Sequence, residues 1–291
     1  MIDLFLNYLR YERNRSELTV LTYGKCLRYF ETYFRGKEEN LDWASVDADV
    51  IRSWMENMMD RGEKATSVAT GLSAVRSFYR FALARGLVKK DPAHHVQAPK
   101  KQKPLPQFVK EAQMDSLLDA SCGDEYKDVR ARTIIILLYE AGLRRAELIG
   151  LDDDDVDFSA RQLKVTGKRN KQRLIPFGEE LANQLKSYMA IRDGQVEKNS
   201  EALFLGRDGL RISQSTVYNI VKEQLRQVST LKKCSPHVLR HSFATAMLNH
   251  DAGLEGVKKL LGHESLETTE IYTHTTFEQL RRIYKEAHPR G

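Results

Sequence analysis

Cysteine is scarce in this chain: 291 residues hold only three, Cys26, Cys122 and Cys234. They lie far apart and form no CxxC pair, which excludes a disulfide framework and a cysteine-rich zinc site. Apolar runs are short as well, and none approaches the roughly 18 residues needed to cross a bilayer. The opening MIDLFLNYLRYERNR reads as an amphipathic helix and lacks the basic, apolar and small-residue order of a secretory signal. A cytoplasmic protein without a membrane partner is the expectation. Charge, by contrast, is plentiful: 46 Lys and Arg against 40 Asp and Glu leave a formal +6, with a pI near 9.1. That balance favours a polyanionic partner, nucleic acid first, although 30% charged residues describe a mixed surface rather than a basic tail. The 41% of hydrophobic residues suffice for real cores, and the length favours two domains.

One stretch interrupts the chain. QAPKKQKPLPQ, at 97–107, sets three prolines and three lysines around a single leucine. Proline blocks helix and biases the residue before it toward extended geometry, so the stretch reads as a linker, with an ordinary surface loop as the alternative. The division expected is a first domain at 1–96, a linker at 97–108 and a second domain at 109–291. Lysines in such a strap, Lys100, Lys101 and Lys103, would suit a phosphate backbone.

Before the linker the pattern is helical throughout. Val20, Tyr23, Leu27, Phe30 and Phe34 recur at steps of three and four, and so do Val68, Leu72, Val75, Phe78 and Ala82, with a shorter helix at 50–59 between them. Together with the first helix they predict a small four-helix bundle. Arg76, Arg80, Arg85, Lys89 and Lys90 follow one another with no acidic residue before Asp91. Arg76 and Arg80 are therefore candidates for phosphate contact, against the plain alternative of a solvated helix face.

After the linker the pattern is mixed. DVRARTIIILLYEAGLRRAELIGL predicts an apolar helix that meets Gly142, then a short second helix. Two strand-like runs, 162–166 and 173–177, flank the turn Gly167-Lys168-Arg169-Asn170 and predict a hairpin with a basic tip. Helices are expected at 179–191, 214–228, 236–249 and 254–261. The fold class expected is mainly α with a small β-sheet.

Histidine is concentrated near the end: all but His94 and His95 lie at or after His237. On a helix, His237 shares a face with Arg240 and with His241, and a histidine pair four apart could chelate a metal. A zinc protease helix would carry glutamate directly after the first histidine; Val238 stands there instead, so no metal is expected. Arg144 follows a glycine at a helix junction, with Glu147 three residues on and able to hold it. Lys168 sits on the hairpin tip, His263 follows a glycine that ends a helix, and Tyr272 comes nine residues later. Two arginines, a lysine, two histidines and a tyrosine suggest phosphoryl transfer without metal, in which cations neutralise the phosphorane while a phenol attacks. Singly, Arg144 reads equally as half of a structural salt bridge and Tyr272 as a core or capping tyrosine.

In order and spacing, AGLRRAELIGL, VTGKRNKQRLIPF, SPHVLRHSFAT and LLGHESLETTEIYTH, preceded by LSAVRSFYRFALARGLVKKDPA and PKKQKPLP, resemble the tyrosine recombinase (phage integrase) family. The compact length and the ending EQLRRIYKEAHPRG are most similar to its Xer subgroup, which resolves chromosome dimers. The resemblance implies a SAM-like helical core-binding domain and a mixed α+β catalytic domain that together enclose a DNA duplex. It also implies an enzyme that cuts and rejoins DNA without metal, cofactor or ATP. Tyr272 would be the nucleophile and form a 3′-phosphotyrosyl link. Arg144 and Arg240 would clamp the nonbridging oxygens, for which a guanidinium fork is better shaped than an ammonium. Lys168 would protonate the leaving 5′-oxygen, His237 would assist as base, His263 would bond the scissile phosphate, and Glu147 would support the arginines from behind. His241 is left as structural. Arg169 stands where the family commonly has a second glycine, and either alters the turn or adds a phosphate contact. The partners implied are a double-stranded recombination site, further copies or a paralogue in a tetramer on two sites, and a DNA translocase as a candidate activator. A helix at about 277–287, with the apolar stripe Phe277, Leu280, Ile283 and Tyr284, is expected to dock into a neighbouring copy rather than at home. Integration of a phage or mobile element, topoisomerase-like nicking and closing, and DNA binding without catalysis remain the alternatives.

Overall fold

The computed structural model describes residues 1–37, 42–100, 107–121, 123–167, 170–231, 233–262 and 274–289, and for 274–280 the backbone alone. Contacts divide the chain into two compact units, Met1–Pro104 and Leu105–Gly291. Among the described residues no helix is long and apolar enough to cross a membrane.

The first unit is built from α1 (Ile2–Asn7), which runs on into a π-helical turn at Tyr8–Glu12, then α2 (Glu17–Lys37), α3 (Ala48–Asp60) and α4 (Ala65–Ala84). The Asp47 carboxylate starts α3 by accepting from the Asp49 and Val50 N–H groups, each at 2.9 Å, the usual remedy for the unpaired donors of a first turn. The apolar stripes converge on an aromatic core of Phe5, Phe30, Phe34, Trp43, Trp54 and Phe78. Trp43 and Phe78 have ring centroids 4.3 Å apart, and the Tyr79 hydroxyl donates to the Trp43 carbonyl at 3.1 Å.

The second unit centres on α6 (Tyr126–Glu140), in which every residue from Ile134 to Glu140 is buried. A helix apolar all round belongs in a core, and α6 is covered by α8 (Glu179–Gln195), α9 (Gln214–Val228) and α10 (Pro236–Asn249). Around it lie α5 (Glu111–Asp119), α7 (Arg145–Gly150), α11 (Leu254–Leu261) and α12 (His274–Ala287). A three-stranded antiparallel sheet has the order β1 (Val156–Asp157), β2 (Gln162–Thr166), β3 (Gln172–Pro176). Its register sets Leu163 against Ile175 and Val165 against Arg173, so the inward face carries three apolar side chains and one arginine. The hairpin closes where the Gly167 N–H donates to the Lys171 carbonyl at 2.7 Å, and Asn170 takes the left-handed conformation, φ 59°, which asparagine tolerates better than most residues.

The described part of the tail packs on its own unit. Tyr284 and Ala287 are buried in the core of their own unit, the Tyr284 ring stacks on His288 at 4.8 Å, and Ile283 packs against Gly256 of α11. The described part of the apolar stripe thus packs at home. The side chains of Phe277 and Leu280 lie outside the description.

Candidate active site

Two turns and two helix ends bring the arginines together. At Gly142, φ 57°, the chain turns out of α6 and delivers Arg144 as the extended residue before α7. Glu147, one turn into α7, reaches back: its carboxylate accepts from the Arg144 N–H at 2.8 Å and from the Arg144 guanidinium at 2.6 Å. Arg240 stands on the first turns of α10, whose start is eased by Pro236 in a position where no N–H is missed. Its guanidinium donates to the carbonyls of Gly142, at 2.6 Å, and Leu261, at 2.5 Å, and lies 3.7 Å from Glu147.

A third arginine completes the cluster, and sequence reasoning did not single it out. Arg173, on the core face of β3, donates in a fork to both Glu147 oxygens at 3.0 and 2.8 Å and through Nε to the Leu260 carbonyl at 3.0 Å. Arg144 also donates to Gly262 O at 3.1 Å. The last carbonyls of α11, those of Leu260, Leu261 and Gly262, are therefore each held by a different arginine. These are the acceptors that a helix C-terminus leaves unpaired, at the negative end of its dipole. Gly262, with φ 62°, allows the turn, and a Cβ there would stand 3.2 Å from Arg173. The available signal was the period of two in the strand: Arg173 alternates with Ile175 and Phe177 on one face.

The electrostatics follow from one carboxylate among three guanidiniums. Burial acts to raise the Glu147 pKa, but the Arg173 fork and the two bonds from Arg144 outweigh it and carry it down to about 2. Arg240 is lowered to about 10, first by burial and then by the charge of Arg144, and so stays cationic at neutral pH. Arg144 keeps 38% of its side chain exposed against 4% for Glu147, which leaves positive charge facing outward with a buried negative charge behind it. His237 is exposed, at the start of α10. Its pKa is lowered by partial desolvation and then by the positive fields of His241, Lys233, Arg145 and Arg240, a shift that favours the neutral ring. His241 is exposed too.

The structure thus brings Arg144, Glu147 and Arg240 together, with His237 on the same helix as Arg240. Lys168, Arg169, His263 and Tyr272 lie outside the described residues. In the first unit, the half-buried Arg76 donates to the carbonyls of Ala93, at 3.3 Å, and Val96, and so pins the segment after α4. Arg85 pairs with Glu12 at 2.6 Å. Arg80 and Lys100 are exposed, and Lys101 and Lys103 are not described.

Residues 107–279 match the Phage integrase family, and residues 2–86 match the Phage integrase, N-terminal SAM-like domain. The chain belongs to the phage integrase family. Tyrosine recombinase XerC of Pelotomaculum thermopropionicum is 37% identical to it, covering 100% of this chain and 98% of that protein. XerC of Vibrio vulnificus is also 37% identical, covering 100% and 91%. The XerH site-specific recombinase bound to palindromic difH substrate, in a post-cleavage complex, superposes with a TM-score of 0.72 over 97% of this chain and 83% of that one; at 20% identity it speaks for the fold. The fold class and the family read from the motif boxes both hold. This phage integrase family member is a site-specific tyrosine recombinase, an enzyme that binds, cuts and rejoins DNA.

Proposed function

We propose that the reaction runs through Tyr272, whose phenolate attacks the scissile phosphate, forms a 3′-phosphotyrosyl bond and releases a 5′-hydroxyl. Arg144 and Arg240 bond the nonbridging oxygens and offset the charge of the phosphorane, where fixed donors act most strongly. Lys168 gives its proton to the leaving 5′-oxygen, neutral His237 assists as base and His263 bonds the phosphate. The energy of the broken ester stays in the phosphotyrosine, so the 5′-hydroxyl of another strand reverses the step without ATP.

The observation that carries this reading is the convergence of Arg144 and Arg240 on Glu147 and on the end of α11, three guanidiniums around one carboxylate. A phosphate is the ligand such a surplus of charge suits. We further propose that the helical unit, 1–96, clamps DNA beside the catalytic unit, 109–291, with 97–108 as the strap, and that Arg80 and Lys100 contact phosphates. The biological role proposed is resolution of chromosome dimers at cell division, by four subunits of this chain or of this chain and a paralogue on two sites, with a DNA translocase as the candidate activator. Packing of α12 at home is compatible with such an assembly, because a swapped helix repeats the same contacts in a neighbour.

The test is a nicked duplex carrying a candidate dimer-resolution site, incubated with protein and no magnesium. A covalent protein–DNA product is expected from the wild type and none from Tyr272→Phe, with DNA binding retained. Equal adduct from both proteins would remove Tyr272 from its role, and an adduct on mobile-element ends but not on chromosomal sites would move the biological assignment.

A further inference from the structure

The three-arginine cap on α11 contains one member with no phosphate role. Arg173 is 6% exposed, against 38% for the Arg144 side chain, so it sits behind the site rather than on its face. Its three bonds tie together three parts of the unit: β3 itself; Glu147 on α7, which fixes both the backbone and the guanidinium of Arg144; and the Leu260 carbonyl of α11, which stands next to the acceptors of Arg240 and Arg144. Gly262, the residue directly before His263, packs on its side chain. We propose that Arg173 is a positioning residue for strand cleavage, holding Glu147 and the end of α11 so that Arg144 and Arg240 meet one phosphate in a fixed geometry. The inference rests on the recombinase reading above. Lysine cannot replace it, because a single ammonium lacks the planar fork that serves two carboxylate oxygens and a carbonyl at once.

The same unit supplies its own control. Arg192 is equally buried, forks onto both oxygens of Asp153 at 2.7 and 2.9 Å and donates to the Leu203 carbonyl at 2.8 Å, but it belongs to no part of the site. Arg173→Lys and Arg192→Lys should therefore lower thermal stability comparably. Single-turnover adduct formation at saturating protein separates them: a fall of roughly 10- to 100-fold is expected for Arg173→Lys, the range for losing a misplaced contact partner, and less than about 3-fold for Arg192→Lys. Affinity for the intact site should change by less than about 3-fold in both. Combining Arg173→Lys with Glu147→Gln should slow cleavage little beyond the slower single variant, because both act through one network. Equal cleavage losses in the two lysine variants, or full additivity with Glu147→Gln, would overturn the positioning role and leave Arg173 as a fold residue. A wild type that forms no adduct would instead overturn the recombinase reading itself.

Discussion

Substituting Gly142 by alanine adds one methyl group at the turn that delivers Arg144 and whose carbonyl receives Arg240. Two terms oppose it. At φ 57° the backbone is left-handed, which costs a non-glycine residue roughly 1–2 kcal/mol. The new Cβ would lie 2.5 Å from Phe243 Cδ1 and 3.0 Å from Leu261 Cδ2, both in buried side chains, and forcing a methyl into a closed core costs roughly 1–3 kcal/mol. The sum, about 2–5 kcal/mol, is a large part of the 5–15 kcal/mol or so that holds a domain together. At about 2–4 °C per kcal/mol for a unit of this size, Tm should fall by about 4–20 °C. Urea denaturation and thermal melting of the full chain measure it. Gly194→Ala is the comparison: that glycine is exposed near the end of α8, with nothing within 4 Å of a new Cβ, so the same chemical change there should stabilise by up to about 1 kcal/mol. Adduct formation should fall for Gly142→Ala alone, because relieving the clash moves either the Gly142 carbonyl that Arg240 holds or the Leu261 end of α11. A Gly142→Ala protein within about 0.5 kcal/mol of wild type would refute the reasoning, since a change of that size marks a surface position.

Two further outcomes follow from the charges. Glu147 has its folded pKa lowered from 4.5 to about 2, so its contribution is complete above pH 4.5 and is lost as pH falls from there toward 2; at 1.36 kcal/mol per unit it amounts to about 3 kcal/mol. Urea midpoints of wild type and Glu147→Gln should therefore converge as pH falls through that window, and parallel curves would contradict the assignment. Arg80→Ala should lower the slope of log affinity against log salt by about 1 at unchanged Tm. Arg76→Ala should leave the slope alone and destabilise by about 1–3 kcal/mol, as two carbonyls lose their donor; the opposite pairing of effects would favour Arg76 as a phosphate contact.

Where the sequence signals a boundary chemically, reading and structure agree closely. Helices α9, α10 and α11 have the bounds expected of them, with Pro236 opening α10 and Gly262 closing α11, and the hairpin strands agree to within a residue. Periodicity failed where polar residues are buried by partners remote in sequence. Helix α8 runs past Ile191 to Gln195 because Arg192 is buried against Asp153, and an arginine ordinarily reads as the start of a solvent face. Helix α5 and the two-residue β1 were not foreseen; β1 is too short to show a period. Arg76 and Arg80 are indistinguishable by charge, and only the carbonyls of Ala93 and Val96 separate them. Of the residues named from the motif boxes, Arg144, Glu147 and Arg240 come together in the structure, with His237 on the same helix as Arg240. Arg173 was not named, because its meaning depends on a carboxylate that lies 26 residues earlier in the chain.

That dependence also explains how the arginines can be held together with charge to spare. Three guanidiniums crowded around one carboxylate repel one another, and the lowered pKa of Arg240 reflects first its burial and then the charge of Arg144 and Arg173. The end of α11 supplies the compensation: carbonyls at a helix C-terminus carry about half a negative charge in sum and can hold arginines without neutralising them. Each guanidinium has five N–H donors, and the bonds described for Arg240 run from its two terminal nitrogens to two carbonyls, so the grip fixes its plane while donors remain for an incoming phosphate. Lysine could not be held and still offer a fork. A second carboxylate in place of the carbonyls would cancel the positive charge that the cluster keeps. One buried glutamate and one helix end are thus a sufficient frame, strong enough to overcome the repulsion and weak enough to leave the net charge positive.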